Sequence, residues 1–155
     1  MWIQTTAVGA LEHWRNYQTR MLTRHRQQAR LAGLDEASEG FKLFPALELL
    51  PGDIRVKRST TAPSCLAHRT STRLKARGID MVLITGTATN VCSESTARDA
   101  MLLDYKVIML SDGNATLTEE EHAGALNTFM MFLGDVMSTD EAITRLAPVV
   151  RCKTT

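Results

Sequence analysis

The residue best placed for chemistry in this sequence is Cys92, which follows a short apolar run and a small polar turn. The run over residues 81–84 is typical of a buried strand, Gly86 breaks it, and residues 87–90 predict a turn into a helix. Backbone N–H groups at a helix start lack partners within the helix, and the helix dipole adds positive charge there. Both effects favour a thiolate, so Cys92 is a candidate nucleophile. On spacing alone, a small, buried and inert cysteine is the alternative.

Three segments of the sequence resemble the isochorismatase-like cysteine hydrolases, which include amidases for N-carbamoyl compounds, ureido compounds and nicotinamide. The segments are TGTATNVCSESTARDA, YKVIMLSDGNAT and EEEHAGALNTFMMFLGDVMST, and the similarity runs from about residue 41 to about residue 146. The resemblance implies hydrolysis of a C–N bond in a small amide or ureido compound. It also implies a three-layer α/β/α sandwich with a mostly parallel, Rossmann-like sheet. The alternation of predicted strands and helices indicates the same fold class, with the site at the carboxyl ends of the strands.

The resemblance assigns roles to four positions. It implies that Cys92 is the nucleophile and that Lys57 belongs to the catalytic set. It places the oxyanion hole at the backbone N–H groups of Ala88 and Cys92, and a cis peptide bond between Thr87 and Ala88. Without the resemblance, Lys57 would be interpreted as a solvated lysine at a strand end.

The family's general base has no counterpart in the sequence. In the family it is an aspartate at the end of the first strand, after an apolar run. We therefore interpret residues 1–155 as a single, N-terminally incomplete domain and expect the chain as given to turn over substrate poorly or not at all. A fold without this central strand leaves two half-sheets, or closes up by one strand spacing, or takes a strand from a partner chain.

No other carboxylate in the sequence is a clear candidate for the general base. Asp53 is four residues before Lys57 in a predicted strand, which places it about 13 Å away at the opposite end of the sheet. Asp112 ends another predicted strand at the correct edge, but an aspartate before a glycine more often forms a turn. Asp35 and Glu48 have no predicted position.

Hydrophobic spacing, capping residues and glycines predict the other elements. They are strands over residues 1–6, 53–57, 107–110 and 135–137, and helices over residues 10–31 and 65–77 and after the capping boxes Thr118–Glu121 and Ser138–Glu141. The expected apolar residues are Leu11, Trp14, Met21 and Leu22 in the first helix, Leu66 and Leu74 in the second, and Leu126, Phe129, Met130 and Leu133 in the third.

Composition narrows the function classes. Eighteen Lys and Arg against 17 Asp and Glu give no argument for a nucleic-acid or anionic-membrane partner. Residues 1–34 hold five arginines and one glutamate; we interpret them as a solvated helical face, with a basic patch for an anionic partner as the alternative. No apolar run approaches the roughly 20 residues of a membrane span, and no signal peptide is recognised.

The cysteines and histidines give no sign of a disulfide framework, a metal or a cofactor. Cys65, Cys92 and Cys152 are widely spaced, and His122 is interpreted as an ordinary polar residue in the first turn of its helix. We therefore expect a cytoplasmic protein with a small-molecule substrate. Relatives commonly form dimers or tetramers, so a homo-oligomer is expected.

Two other functions stay open. A truncated or inactive homologue would keep the scaffold for binding or oligomerisation without turnover. Vinyl-ether hydrolysis, the isochorismatase reaction itself, is less favoured because it does not need a nucleophilic cysteine.

Overall fold

The computed structural model describes residues 1–13, 15–59 and 68–151. The chain forms two compact units, Met1–Pro63 and Ser64–Thr155, called here the N-terminal and C-terminal units. The described strands divide between two parallel sheets, one of two strands and one of three. Which of the three arrangements expected above applies stays a prediction. The interpretation as a single domain stays a prediction.

The N-terminal unit is built on a two-stranded parallel sheet. Its elements are β1 (Trp2–Thr6), α1 (Ala10–His13), a π-helical turn (Tyr17–Met21), α2 (Arg24–Gly33), a 3₁₀ turn (Glu39–Phe41) and β2 (Arg55–Ser59). β1 matches the predicted strand. β2 begins later than predicted, so Lys57 lies in the middle of the strand, opposite Gln4, and not at the strand end.

The single helix predicted over residues 10–31 is wrong. The chain becomes extended at Leu22 and Thr23, whose ψ angles are 144° and 154°. The Thr23 hydroxyl accepts a hydrogen bond from the N–H of Arg26 at 3.4 Å and caps the start of α2. The physical reason is that a threonine hydroxyl competes for backbone hydrogen bonds, which favours a helix start over a helix interior.

The apolar face expected for that helix is also wrong. Leu11 and Met21 are 50% and 74% exposed, whereas Ala10 and Gln18 are fully buried. Trp14, expected on the same face, lies outside the described residues. An apolar face needs a continuous stripe of large side chains, and this arginine-rich segment has too few of them.

The C-terminal unit alternates strands and helices. Its elements are α3 (His68–Lys75), β3 (Met81–Thr87), a π-helical turn (Thr89–Ser93), α4 (Glu94–Leu102), β4 (Lys106–Ala115), α5 (Glu119–Phe132), β5 (Asp135–Met137) and α6 (Thr139–Arg151). The strands are parallel in the order β3-β4-β5. Gly78, at φ 69°, follows α3 as predicted, because a left-handed residue after a helix favours glycine. Cys65 and Leu66, in the first turn of that predicted helix, lie outside the described residues.

Helices cover both faces of the three-stranded sheet. On one face, Val107 and Met109 of β4 belong to an apolar cluster with Phe129 of α5. On the other face, Leu110 of β4 clusters with Ala142 of α6. One strand serves both clusters because successive side chains point to opposite faces. The C-terminal unit is therefore a three-layer α/β/α sandwich, and the predicted fold class is confirmed.

β4 is longer than the strand predicted over residues 107–110, because an irregularity in its pairing with β3 carries it on to Ala115. The Asn114 side-chain amide donates hydrogen bonds to the carbonyls of Ile84 at 2.9 Å and Leu110 at 2.7 Å. These bonds satisfy carbonyls at the irregular part of the ladder. The strand therefore continues where the sequence predicted a turn.

Helices α5 and α6 begin at the two predicted capping boxes. The Thr118 hydroxyl accepts from the N–H of Glu121 at 3.2 Å. In the second box, the N–H of Ser138 donates to the Glu141 carboxylate at 2.8 Å, and the N–H of Glu141 donates to the Ser138 hydroxyl at 3.2 Å. These reciprocal bonds satisfy backbone donors that a helix start leaves unpaired.

The apolar face of α5 is narrower than predicted. Leu126 and Phe129 are buried, but Met130 is 53% exposed. The buried face therefore follows part of the predicted helical spacing.

Candidate active site

Cys92 lies in the π-helical turn Thr89–Ser93, which joins β3 to α4. The peptide bond between Thr87 and Ala88 is cis. The Ala88 carbonyl accepts hydrogen bonds from the N–H groups of Val91 at 3.1 Å and Ser93 at 3.2 Å, which closes the turn. Cys92 is a free, half-buried thiol. The structure therefore places this thiol in the first helical turn after a parallel strand, where the sequence predicted it.

Side chains tie this turn to its surroundings at several points. The Thr89 hydroxyl and a ring nitrogen of His122 form a hydrogen bond of 2.9 Å. The Thr116 hydroxyl donates to the Asn90 side-chain oxygen at 2.7 Å. The Thr96 hydroxyl donates to the carbonyl of Cys92 itself at 2.6 Å. The turn that carries the thiol is therefore held at its first residue, at its second residue and at the Cys92 carbonyl.

The interpretation of His122 as an ordinary polar residue is wrong. Its Nδ1 bonds Thr89, and its Nε2 donates to the backbone carbonyl of Ser111 at 3.0 Å. The ring thus bridges α5, β4 and the turn that carries Cys92. The sequence placed His122 four residues after a helix cap, but helical spacing does not reveal which neighbouring elements the side chain meets.

Lys57 pairs with a carboxylate that the sequence analysis missed. Its ammonium nitrogen lies 2.5 Å from a carboxylate oxygen of Glu36 and 5.7 Å from the centroid of the Phe41 ring. The hydrogen bond from Lys57 is the main cause that lowers the pKa of the Glu36 carboxyl, and a hydrogen bond from Thr6 adds to it. Glu36 lies in an irregular connection, so only the folded path of that connection shows its partner.

Glu36 also lines an open depression of about 410 Å³ within the N-terminal unit. The other lining residues are Thr6, Ala7, Val8 and Asp35. A backbone hydrogen bond of 3.0 Å from Ala7 to the carbonyl of Leu34 holds this connection to the end of β1. The depression therefore lies at the carboxyl end of a parallel strand, where α/β folds commonly bind ligands.

Asp112 and Asp53 have structural partners. The Asp112 carboxylate accepts hydrogen bonds from the backbone N–H and hydroxyl of Thr139, at 2.8 and 2.7 Å, and these bonds lower its pKa. It therefore anchors the start of α6 and does not form the expected turn. The Asp53 carboxylate accepts from the Trp2 indole at 2.7 Å and the N–H of Leu50 at 3.0 Å, and its pKa is lowered mainly by the Trp2 bond.

Within the described residues, no group of three or more His, Cys, Asp or Glu side chains could hold a metal ion. In the same part of the chain, every helix is too short or too polar to cross a membrane.

Residues 3–141 of the chain match the sequence pattern of the isochorismatase domain family. The protein belongs to the isochorismatase family. Its similarity to the ureidoacrylate amidohydrolase RutB of Variovorax paradoxus (strain S110) is 36% identity over 127 residues, or 79% of this chain and 50% of that relative. The chain thus spans about half the length of this curated relative. The family resemblance found in the sequence is confirmed.

Two solved structures have folds similar to that of this chain. An isochorismatase-like hydrolase from Alkaliphilus metalliredigens has a TM-score of 0.70 and 33% identity, over 92% of this chain and 69% of that chain. A cysteine hydrolase from Pseudomonas syringae pv. phaseolicola 1448A has a TM-score of 0.75 and 26% identity, over 94% and 70%. These similarities support the α/β fold class independently of the family pattern.

Proposed function

We propose that this protein is a cysteine-dependent hydrolase that cleaves a C–N bond in a small amide or ureido compound. The observation that carries the proposal is the place of Cys92 in a tied helical turn directly after a parallel strand. Two relatives support the reaction class, since one is named an amidohydrolase and the other a cysteine hydrolase. The substrate is a small molecule.

In the proposed reaction, the Cys92 thiolate attacks the carbonyl carbon of the substrate and forms a tetrahedral intermediate. The C–N bond then breaks, the leaving nitrogen takes up the proton that the thiol lost, and the acyl or carbamoyl group stays on sulfur as a thioester, or as a thiocarbamate in the case of the carbamoyl group. Water hydrolyses this thioester and restores the thiol. We assign the oxyanion hole to the backbone N–H groups of Ala88 and Cys92, and each such donor contributes about 3 kcal/mol in a transition state.

Lys57 supplies positive charge in this proposal. An ammonium group stabilises a thiolate and an anionic intermediate, but it cannot accept a proton while it is charged. The Lys57 ammonium donates a hydrogen bond to the Glu36 carboxylate. The base of the family is an aspartate with no counterpart in this sequence, so the first test of the proposal does not depend on turnover.

The test is alkylation of the intact chain by iodoacetamide near neutral pH, with the rate at each cysteine followed by mass spectrometry. We expect Cys92 to react at least about tenfold faster than Cys65 and Cys152, because a thiolate is the reactive form of cysteine. Lys57→Met should slow Cys92 more than Lys57→Arg does. Equal rates at all three cysteines would exclude the cysteine mechanism and favour the scaffold interpretation.

A second test is turnover of N-carbamoyl, ureido and nicotinamide compounds by this chain. We expect slow hydrolysis or none, and Cys92→Ser should remove whatever activity is present. Rapid hydrolysis that depends on Cys92 would show that another group of this chain is an effective base.

Cytoplasmic location and assembly into dimers or tetramers stay predictions. Light scattering of the purified chain tests the assembly.

A further inference from the structure

We propose that His122 is a positioning residue, which holds the turn that carries Cys92 through the hydroxyl of Thr89. His122 lies on α5, Thr89 is the first residue of the turn, and the two side chains are 2.9 Å apart. This contact lies within the C-terminal unit. The consequence for catalysis depends on the proposed function of Cys92, but the positioning itself does not.

The second contact of His122 sets the direction of the first. A backbone carbonyl can only accept a hydrogen bond, so the Nε2 that lies 3.0 Å from the Ser111 carbonyl must carry a proton. In a neutral imidazole the other nitrogen is then an acceptor. In that neutral form, the Thr89 hydroxyl donates to Nδ1. This tautomer is assigned from the carbonyl partner.

Thr89 needs this partner because of its burial. The residue has 0% exposed surface, so water does not replace a missing acceptor for its hydroxyl. It lies directly after Ala88, whose carbonyl accepts two backbone bonds of the turn, and three residues before Cys92. A change in the orientation of Thr89 would therefore change the direction in which the turn leaves β3, and with it the position of the thiol.

The other hydrogen bond of His122 goes to a residue of regular secondary structure. Ser111 lies within β4, and α5 starts at the Thr118 cap a few residues before His122. The imidazole thus ties the turn to a central strand and to a capped helix at once. The bond to Thr89 from a residue of the capped helix supplies the fixed geometry that a nucleophile in a covalent mechanism requires, and the bond to Ser111 sets the tautomer.

Two substitutions of His122 separate its two contacts. His122→Asn places an amide group near the position of Nδ1, so it retains a partner for Thr89 and loses the bond to Ser111. His122→Gln reaches the position of Nε2, so it retains the donor to Ser111 and loses Thr89. A matched pair changes the other side of the contact: Thr89→Val removes the hydroxyl at nearly the same volume, and Thr89→Ser keeps it.

The readout is the rate of Cys92 alkylation by iodoacetamide in the intact chain, with folding checked by circular dichroism. We expect His122→Gln and Thr89→Val to slow this rate about tenfold, the order expected when a reacting group is displaced slightly. His122→Asn and Thr89→Ser should stay within about threefold of the unchanged protein, so each pair shows rescue by the variant that keeps the contact. If His122→Gln does not fold, the Thr89 pair decides.

Equal rates within each pair would overturn the inference, because a residue that only stabilises α5 affects both members alike. Nitrogen NMR of the imidazole gives an independent measurement: we expect the Nε2–H tautomer, with an Nδ1 signal that shifts in Thr89→Val. A protonated Nδ1 with a bare Nε2 would also overturn it. By contrast, failure of the proposed function appears in the unchanged protein, as a Cys92 that reacts no faster than the other cysteines.

Discussion

The two units hold their candidate reactive groups in different ways. In the C-terminal unit, Thr89 and Ser93 at the two ends of the Cys92 turn are 0% and 5% exposed, whereas Val91 between them is 56% exposed. In the N-terminal unit, the side chains of the Lys57–Glu36 pair are 57% and 35% exposed. A nucleophile has to be placed accurately before it reacts, whereas a charge acts over a longer distance and tolerates movement. The difference in burial matches the difference in proposed role.

The C-terminal unit also has the more apolar core. Among the described residues, every fully buried apolar side chain except Ala10 lies in the C-terminal unit. The buried side chains of the N-terminal unit are otherwise polar, namely Gln4, Thr6 and Gln18. Apolar burial is the main favourable contribution to folding, so the C-terminal unit should have the higher local free energy of unfolding.

The strongest test of this difference is Phe129→Ala. Phe129 has 0% exposed surface and belongs to the larger apolar cluster. Its truncation should lower the free energy of unfolding by about 3 to 5 kcal/mol, because it removes buried area and leaves a cavity. Urea unfolding followed by circular dichroism, with hydrogen exchange at the β4 amides, measures this loss.

The matched control is Phe132→Ala in the same helix, where the side chain is 74% exposed. A surface truncation of this kind should change stability by less than about 0.5 kcal/mol. Similar losses in the two variants would contradict the description of the C-terminal core.

A smaller effect is expected from Gly134→Ala, at the connection between α5 and β5. A Cβ at this position would lie 2.6 Å from the Val107 carbonyl oxygen and 2.6 Å from the Phe129 ring. Overpacking against backbone should destabilise the unit by about 1 to 3 kcal/mol. Gly124→Ala is the control, since nothing lies within 4 Å of its Cβ and alanine in a helix interior is more stable than glycine by up to about 1 kcal/mol. An unchanged free energy of unfolding in Gly134→Ala would contradict the close packing of Gly134 against Val107 and Phe129.

Local signals in the sequence predicted those parts of the fold that local physics controls. The β5 strand, the caps at Thr118 and Ser138 and the position of Cys92 in the first turn after β3 follow from apolar runs, capping chemistry and glycine placement. What the sequence did not predict depends on distant partners. The continuation of β4 needs the contacts of Asn114 with two carbonyls, and the pairing of Lys57 with Glu36 needs the folded path of a loop. The bridge made by His122 likewise needs three separate elements.

In the N-terminal unit, Gln18→Met should be mildly stabilising. Gln18 is fully buried, and within the described residues neither atom of its side-chain amide has a hydrogen-bond partner. Replacing an unpaired buried amide by an apolar side chain of similar length should raise the free energy of unfolding by about 1 kcal/mol. Urea unfolding followed by tryptophan fluorescence measures this, since both tryptophans precede residue 60.

The control for Gln18 is a buried glutamine of the same unit with its partners present. The Gln4 amide donates to the Phe41 carbonyl at 2.7 Å and accepts from Arg55 at 2.9 Å. Gln4→Met should therefore destabilise the unit by about 1 to 3 kcal/mol, since it leaves both partners without their bond. If the two substitutions changed stability in the same direction, hydrogen bonding would not explain the difference between these buried glutamines.

The smallest expected effect concerns the exposed charge pair. Lys57→Met removes the main cause that lowers the pKa of Glu36, so that pKa should rise toward the ordinary value of a glutamate, while the bond from Thr6 keeps part of the shift. A lowered pKa contributes stability that is present above the ordinary pKa and is lost as the pH falls through the lowered value. The stability difference between Lys57→Met and the unchanged protein should therefore be small at neutral pH, since the pair is exposed, and should disappear in acid. NMR titration of the Glu36 carboxyl measures the shift.

Lys42→Met is the control, because Lys42 pairs with Glu39 at 2.5 Å. The loss of Lys42 should leave the pKa of Glu36 unchanged. An equal shift of Glu36 in both variants would mean that general surface charge, and not the contact with Lys57, sets its pKa.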